Sequence, residues 1–291
     1  MTAFSTTAPA VFARGLWKKG TASAWFRPQM VFGYIVVAFW LIMVLGVQWL
    51  APYDPIKQVA DRLLSPSWEH WFGTDALGRD VFSRSLYGAR YSLPIAAVAI
   101  VVSVAIGGVL GALAGYFGGW VDAVIMRIAD ITMAFPAILL AMGIAASLGP
   151  GLNNALIAII IVWWPIYARL MRGQVLSIKQ REHVESGLAI GASGPRILFR
   201  HIIPHSMTPI MVNATMDLGQ IILLIASLSF LGLGALPPSP EWGAMITDGA
   251  KNFYQPWIAA APGLAMLTVV LAVNFIGDGM RDALDVKSTR R

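Results

Sequence analysis

The chain has 291 residues, 57% of them hydrophobic and only 12% charged, with a mean hydropathy of +0.68. That balance excludes a soluble globular domain of this size and places the protein in the membrane class. There is no cysteine, which rules out disulfide frameworks and thiolate metal sites, and the net charge of +6 fits membrane topology better than a nucleic-acid partner.

Residues 1–29 form a basic arm carrying Arg14, Lys18, Lys19 and Arg27. The apolar run after it is too long for the core of a cleaved signal peptide, so a retained first span is expected at 30–51. Since about 20 apolar residues cross a bilayer core, the remaining runs predict spans at 91–117, 123–148, 154–172, 206–234 and 257–277. "LGPGLNN" (Leu148–Asn154) supplies the turn that splits one long run in two. The fold class is therefore all-α, a polytopic membrane protein with six transmembrane helices. Its permease core covers 91–280, with a connecting loop at 173–205 and a tail at 281–291.

Segment 52–90 lies between the first two spans. Thr74 and Asp75 can cap a helix there, and Leu77, Val81, Phe82 and Leu86 are spaced for an apolar face, which predicts a helix along the outer membrane surface. In the second span Ser103, Gly107, Gly111, Gly115 and Gly119 recur every four residues. Such a stripe lets helices approach closely in lipid, either within the chain or between subunits. Pro136, Pro165, Pro209 and Pro262 each fall in a later span, as kinked membrane helices allow.

With six spans both termini share a side. Fifteen of the 21 lysines and arginines fall on that side, which the positive-inside rule makes the cytoplasm. Arg127 and Asp130, three apart, are spaced for a local ion pair. Asp217 is the one acid deep in an apolar run, where a carboxylate costs about 2.5–3.5 kcal/mol to insert. Two readings stand side by side: Asp217 lines a translocation path with Asn213, Gln220 and Ser229, or it pairs with Arg127 or nearby backbone. His201 and His205 are four apart, but at a membrane edge rather than on a span, and no metal site is expected. Trp242 is expected to contact a partner or to anchor at the interface.

The polar island "REHVESGLAIGASGPRILFRHIIP" (Arg181–Pro204) predicts a short amphipathic helix, a glycine turn and a second helix leading into the fifth span. Val184, Leu188 and Ile190 give an apolar edge suited to docking in a partner's groove, against the plainer alternative of an ordinary basic loop. The spacing of Glu185, Ser186, Gly187, Gly191, His201, Ile203 and Pro204 resembles the coupling loop of ABC importer permeases, with Ser-Gly in place of Ala-Ala. "FGTDALGRDVFSRSLYGARYSL" (Phe72–Leu93), "LSFLGLGALPPSPEWGAMITDG" (Leu228–Gly249) and "NFIGDGMRDALDV" (Asn274–Val286) are similar to the second-permease branch of the dipeptide, oligopeptide and nickel importers. Ile225 stands where that branch often has glutamate.

The resemblance implies a type I importer permease fold and no catalytic role for this chain. It assigns ATPase coupling to Glu182, Val184, Glu185, Ser186, Gly187, Leu188, Gly191, Ala192, Ser193, Arg196 and Pro204. It also implies two ATPase subunits or domains that bind the ATP and magnesium, a second homologous permease and an extracytoplasmic solute-binding protein, in a bacterial inner membrane. This chain itself is expected to bind no cofactor, and it contains no G-x-x-x-x-G-K-[ST] phosphate loop. The solutes implied are peptides, glutathione-like compounds, nickel chelates or oligosaccharides. The competing reading is an ion-gradient-driven secondary transporter, which calls for internal repeats and paired intramembrane carboxylates that the sequence does not display. An intramembrane enzyme would need a clustered nucleophile, base or metal set.

Overall fold

The computed structural model describes residues 25–189 and 191–285. Among these it is all-helical, with no strand. In chain order the helices are α1 (Pro28–Leu50), α2 (Val81–Phe117), α3 (Gly119–Met133), α4 (Ala137–Leu148), α5 (Leu152–Lys179), α6 (Glu182–Ala189) and α7 (Gly194–Ile197). A π-helical turn, Leu198–Ile202, then leads into α8 (Ile203–Phe230), followed by α9 (Trp242–Lys251) and α10 (Trp257–Asp285).

Five helices are long and apolar enough to cross a membrane: α1, α2, α5, the continuous α7–α8 unit and α10. The pair α3 and α4, bent by 92°, is long and apolar enough only when taken together, and makes a sixth crossing if it is one span. The bend has a local cause. Pro136 sits at the N-cap of α4, and the residue before a proline is driven out of the helical region. Pro165, Pro209 and Pro262 lie inside α5, α8 and α10, as does Pro94 inside α2.

The α2–α5 contact is the most extensive in the molecule. A Cβ added at Gly107 would come within 2.9 Å of the Ala168 nitrogen, and one at Gly111 within 2.8 Å of the Ala168 carbonyl carbon. At Gly115 the Arg172 carbonyl oxygen would lie at 3.0 Å. These three glycines let two backbones touch, which in lipid replaces the hydrophobic drive that helices have in water. Ser103 is fully buried on the same face. Gly119 is different: it has nothing within 4 Å of an added Cβ and begins α3, after the chain has turned at Gly118 (φ +66°). The four-residue period ends where the helix ends.

α1 lies on α10. The Trp40 indole donates to the Thr268 hydroxyl at 3.0 Å, and Arg27 forms an ion pair with Asp282. That pair puts the start of α1 and the end of α10 at one end of the bundle, called here the termini end. The loop 180–202 lies at the same end, and segment 52–80 and α9 lie at the opposite one.

Candidate functional site

α5 gives way to α6 through Gln180 and Arg181 only. Glu182 and Glu185 occupy the first turn of α6, where carboxylates favour the positive end of the helix dipole. The helix is closed by a hydrogen bond from the Ala192 N–H to the Gly187 carbonyl at 3.1 Å, with Gly191 at φ +80°. Glycine reaches that left-handed conformation without steric cost, and it reverses the chain toward α7. Ser193 is the N-cap of α7, although its side chain makes no capping bond.

Of the apolar edge, the described residue Val184 points inward. Val184 is 1% exposed and joins the core, as do Ile197, Leu198 and Ile202. Gly187 is buried and Ala192 half-buried, whereas Glu182, Glu185, Ser186, Gly191, Ser193, Arg196 and Pro204 are exposed. The first turn of α6 thus offers polar side chains outward, and Val184 roots it, while Phe199 is an exposed apolar side chain of the same loop. The side chain of Leu188 and all of Ile190 lie outside the described residues, as do the arm through Ala24 and the tail from Val286.

The polar residues of α8 separate into three environments. Asp217 is half-buried and accepts hydrogen bonds from the Tyr167 hydroxyl at 2.6 Å and the Trp163 indole at 3.3 Å. It is tied to α5, not to Arg127. Asn213 and Gln220 are exposed, seven residues apart on one face of α8, and the Asn213 amide donates to the Pro209 carbonyl at 2.9 Å. Ser229 does not face that stripe. It is buried, and its hydroxyl accepts the Ala235 N–H at 3.1 Å, closing the turn after α8. Ile225, the point of departure from the resemblance, is 1% exposed in the core.

Charges at the termini end pair across helices rather than along them. Asp130 accepts from Arg169 of α5 at 2.5 Å, not from Arg127. Arg172 of α5 grips both oxygens of Asp122 at 2.5 and 2.6 Å. A bidentate pair of this kind fixes orientation as well as distance. The His205 Nδ1 lies 2.8 Å from the His201 carbonyl, and among the described residues no group of three potential ligands could hold a metal.

At the other end, the expected surface helix is replaced by an irregular cap and an earlier start to α2. Asp80, not Thr74 or Asp75, is the N-cap: its carboxylate accepts the Ser83 N–H at 2.7 Å and faces the His70 ring at 2.9 Å. Asp75 instead accepts the Leu77 and Arg79 N–H groups and the Arg79 guanidinium at 2.7 Å, with Arg84 at 3.4 Å. Asp75, Arg79, Asp80 and Arg84 are all at most 5% exposed. α9 closes the cap from above. Glu241, 1% exposed, caps α9 through the Gly243 and Ala244 N–H groups and accepts the Ser92 hydroxyl at 3.1 Å. Trp242 is fully buried, donating to the Ser85 carbonyl at 2.9 Å and meeting Trp40 edge to face at 5.1 Å. It is neither an interfacial anchor nor a partner contact.

These features were compared with known proteins. Residues 107–290, which contain the loop, the bent pair and α8, match the family described as "Binding-protein-dependent transport system inner membrane component". The chain belongs to this family. The dipeptide transport system permease protein of Alkalihalophilus pseudofirmus is 48% identical over 87% of this chain and 84% of its own length. A glutathione transport system permease protein of Pectobacterium atrosepticum is 48% identical over 87% of this chain and 83% of its own. A probable D,D-dipeptide transport system permease protein of Escherichia coli is 44% identical over 90% and 88%. Among solved structures, an inward-facing methionine ABC transporter, MetNI, shares the fold with a TM-score of 0.57 at 20% identity, covering 70% of this chain and 96% of that one.

Several residues that organise this permease escaped the sequence reading. Tyr167, Trp163, Arg169 and Arg172 sit on α5 and serve Asp217, Asp130 and Asp122 some forty to fifty positions away. A signal did exist: Arg169 and Arg172 are three apart, and Asp122 and Asp130 eight apart, so each pair shares one helix face. His70 and Glu241 gave no such signal, since their partners Asp80 and Ser92 lie 10 and 149 positions away at no helical spacing.

Proposed function

We propose that this permease carries peptides or a related small solute across the bacterial inner membrane as the membrane half of an ABC importer. Two separate ATPase subunits or domains bind ATP and magnesium, and one of them docks on the loop 173–205. A second, homologous permease completes the pathway, and an extracytoplasmic solute-binding protein delivers the cargo to the cap. Both termini and the loop face the cytoplasm. Residues 52–90 and α9 face outward, and the core covers 91–280. The names of the similar permeases, for dipeptides, D,D-dipeptides and glutathione, support a short peptide-like solute.

The observation that carries this reading is the loop's construction. A short helix rooted by Val184 presents Glu182, Glu185 and Ser186 outward, beside a glycine reversal, at the end where both termini emerge. A rigid polar knob on an apolar root is what a partner's cleft can grip and push. Asn213 and Gln220 on the open face of α8 are our candidates for the path, with Asp217 positioning that face through Tyr167.

The chain's lack of cysteine supplies the test. A Glu185→Cys variant carries one thiol, on the exposed side of α6. In intact cells a membrane-impermeant maleimide is expected to leave it unlabelled, and in inside-out vesicles to label it only after the ATPases are stripped. Labelling from outside, or equal labelling with the ATPases bound, would overturn the docking assignment.

A further inference from the structure

We propose that Tyr116, the penultimate residue of α2, is the bearing against which the coupling loop pushes, and that Gly194 is glycine in order to meet it. The proposal rests on the coupling role given above to residues 182–196. Tyr116 projects from the end of α2 onto the start of α7. A Cβ added at Gly194 would lie 2.7 Å from the Tyr116 hydroxyl oxygen, 3.5 Å from Cζ and 3.7 Å from Cε1. The hydroxyl therefore rests on the bare Gly194 backbone. The contact that the structure gives this hydroxyl is with Gly194.

The tyrosine is itself held. Lys179, the last residue of α5, donates to the Tyr116 carbonyl at 2.8 Å and places its ammonium 5.3 Å from the ring centroid. The first contact satisfies a carbonyl that the end of α2 leaves unpaired, and the second is a cation–π interaction on the ring. Lys179 thus joins the ends of α2 and α5 at the point where the loop touches them.

The chain connections give the contact its importance. On one side the loop joins α5 through two non-helical residues, and on the other it reaches α8 through the π-helical turn Leu198–Ile202. Such turns are places where a helix can yield. A push on α6 would be absorbed there unless α7 had a stop. Tyr116 is that stop, and it stands on a stiff base: α2 is fused to α5 along Gly107, Gly111 and Gly115, and α3 is pinned to α5 by Asp122–Arg172 and Asp130–Arg169. Displacement of the loop is therefore delivered to α2, α3 and α5 as one block, moving against α8.

The distances define a bump and a matching hole. In the assembled transporter, reconstituted with its binding protein, Gly194→Ala forces a methyl against the Tyr116 oxygen. The hydroxyl end of the ring must move aside, and the displaced stop should lower the solute carried per ATP hydrolysed. Co-purification of the ATPases and basal ATP hydrolysis, measured on the same preparation, separate a lost dock from a lost stop. Adding Tyr116→Phe removes that oxygen and leaves the methyl 3.5 Å from the ring carbon, an ordinary contact, so the double variant should recover the native ratio. Tyr116→Ala, which removes the stop, should hydrolyse ATP without transport. Full coupling in Gly194→Ala, or no rescue by Tyr116→Phe, would overturn the bearing. Loss of the ATPases from the unmodified complex would instead overturn the docking assignment beneath it.

Discussion

Gly108 and Gly111 are three residues apart on α2, and the structure assigns opposite consequences to giving each a methyl group. At Gly111 the added Cβ would lie 2.8 Å from the Ala168 carbonyl carbon and 2.9 Å from its Cα. Ordinary contact begins at 3.4 Å, so α2 and α5 must separate by at least 0.6 Å at their tightest point, and no flexible side chain is there to yield. At Gly108 the nearest atom is the terminal methyl of Met171 at 3.6 Å, which is already ordinary contact. Both substitutions gain the same helix preference of alanine over glycine, about 0.5–1 kcal/mol, so it cancels between them. What remains is the overpacking at Gly111, about 1–3 kcal/mol. Thermal unfolding in mild detergent, followed by tryptophan fluorescence, should put Gly111→Ala on the order of several degrees below Gly108→Ala. Coincident midpoints would refute the backbone-to-backbone account of the α2–α5 contact.

Trp242→Ala should cost about 3–5 kcal/mol by opening the cap core, whereas Trp68→Ala, at a side chain 98% exposed, should leave the melting curve unmoved. Asp75→Ala takes from Arg79 and Arg84 their shared carboxylate, leaving Arg79 only Asp248 at 3.6 Å and Arg84 the Pro55 carbonyl, and breaking such a buried pair costs about 3–5 kcal/mol. A yield of folded monodisperse protein equal to the unmodified chain would contradict that. Asp217→Asn and Tyr167→Phe should weaken the same α5–α8 tie, so a double-mutant cycle in thermal stability should return a coupling of about 0.6–1.7 kcal/mol. Strict additivity would show that the 2.6 Å contact contributes nothing.

The spans were legible because each is a long uncharged run, and the physics of lipid leaves a helix as the only local solution. The loop was legible from its glycines and charges, since Gly191 supplies a reversal that few residues tolerate. Two things were not. The start of α2 was placed at residue 91 because Arg84 and Arg90 break the apolar run, yet the helix begins at Val81. Arg84 is tolerated there because Asp75 pairs with it and the Pro55 carbonyl accepts its hydrogen bond, both from the segment before the helix. The direction of Val184 was also misread. Amphipathic spacing says that one face of a helix is apolar, but not whether the molecule's own core or a partner covers it.

The cap joins stretches that are made at different times. Trp242 meets Ser85 across 157 positions, and Trp257 donates to the Thr74 carbonyl across 183. At a synthesis rate of about 5–20 residues per second, the place of Trp242 beside Ser85 stays empty for roughly 8–30 s after Ser85 is made. During that interval the first two spans already exist, but nothing fills the space between them. The amino-terminal third of the permease is thus an unfinished socket while the chain is being made, and α9 and α10 complete it last.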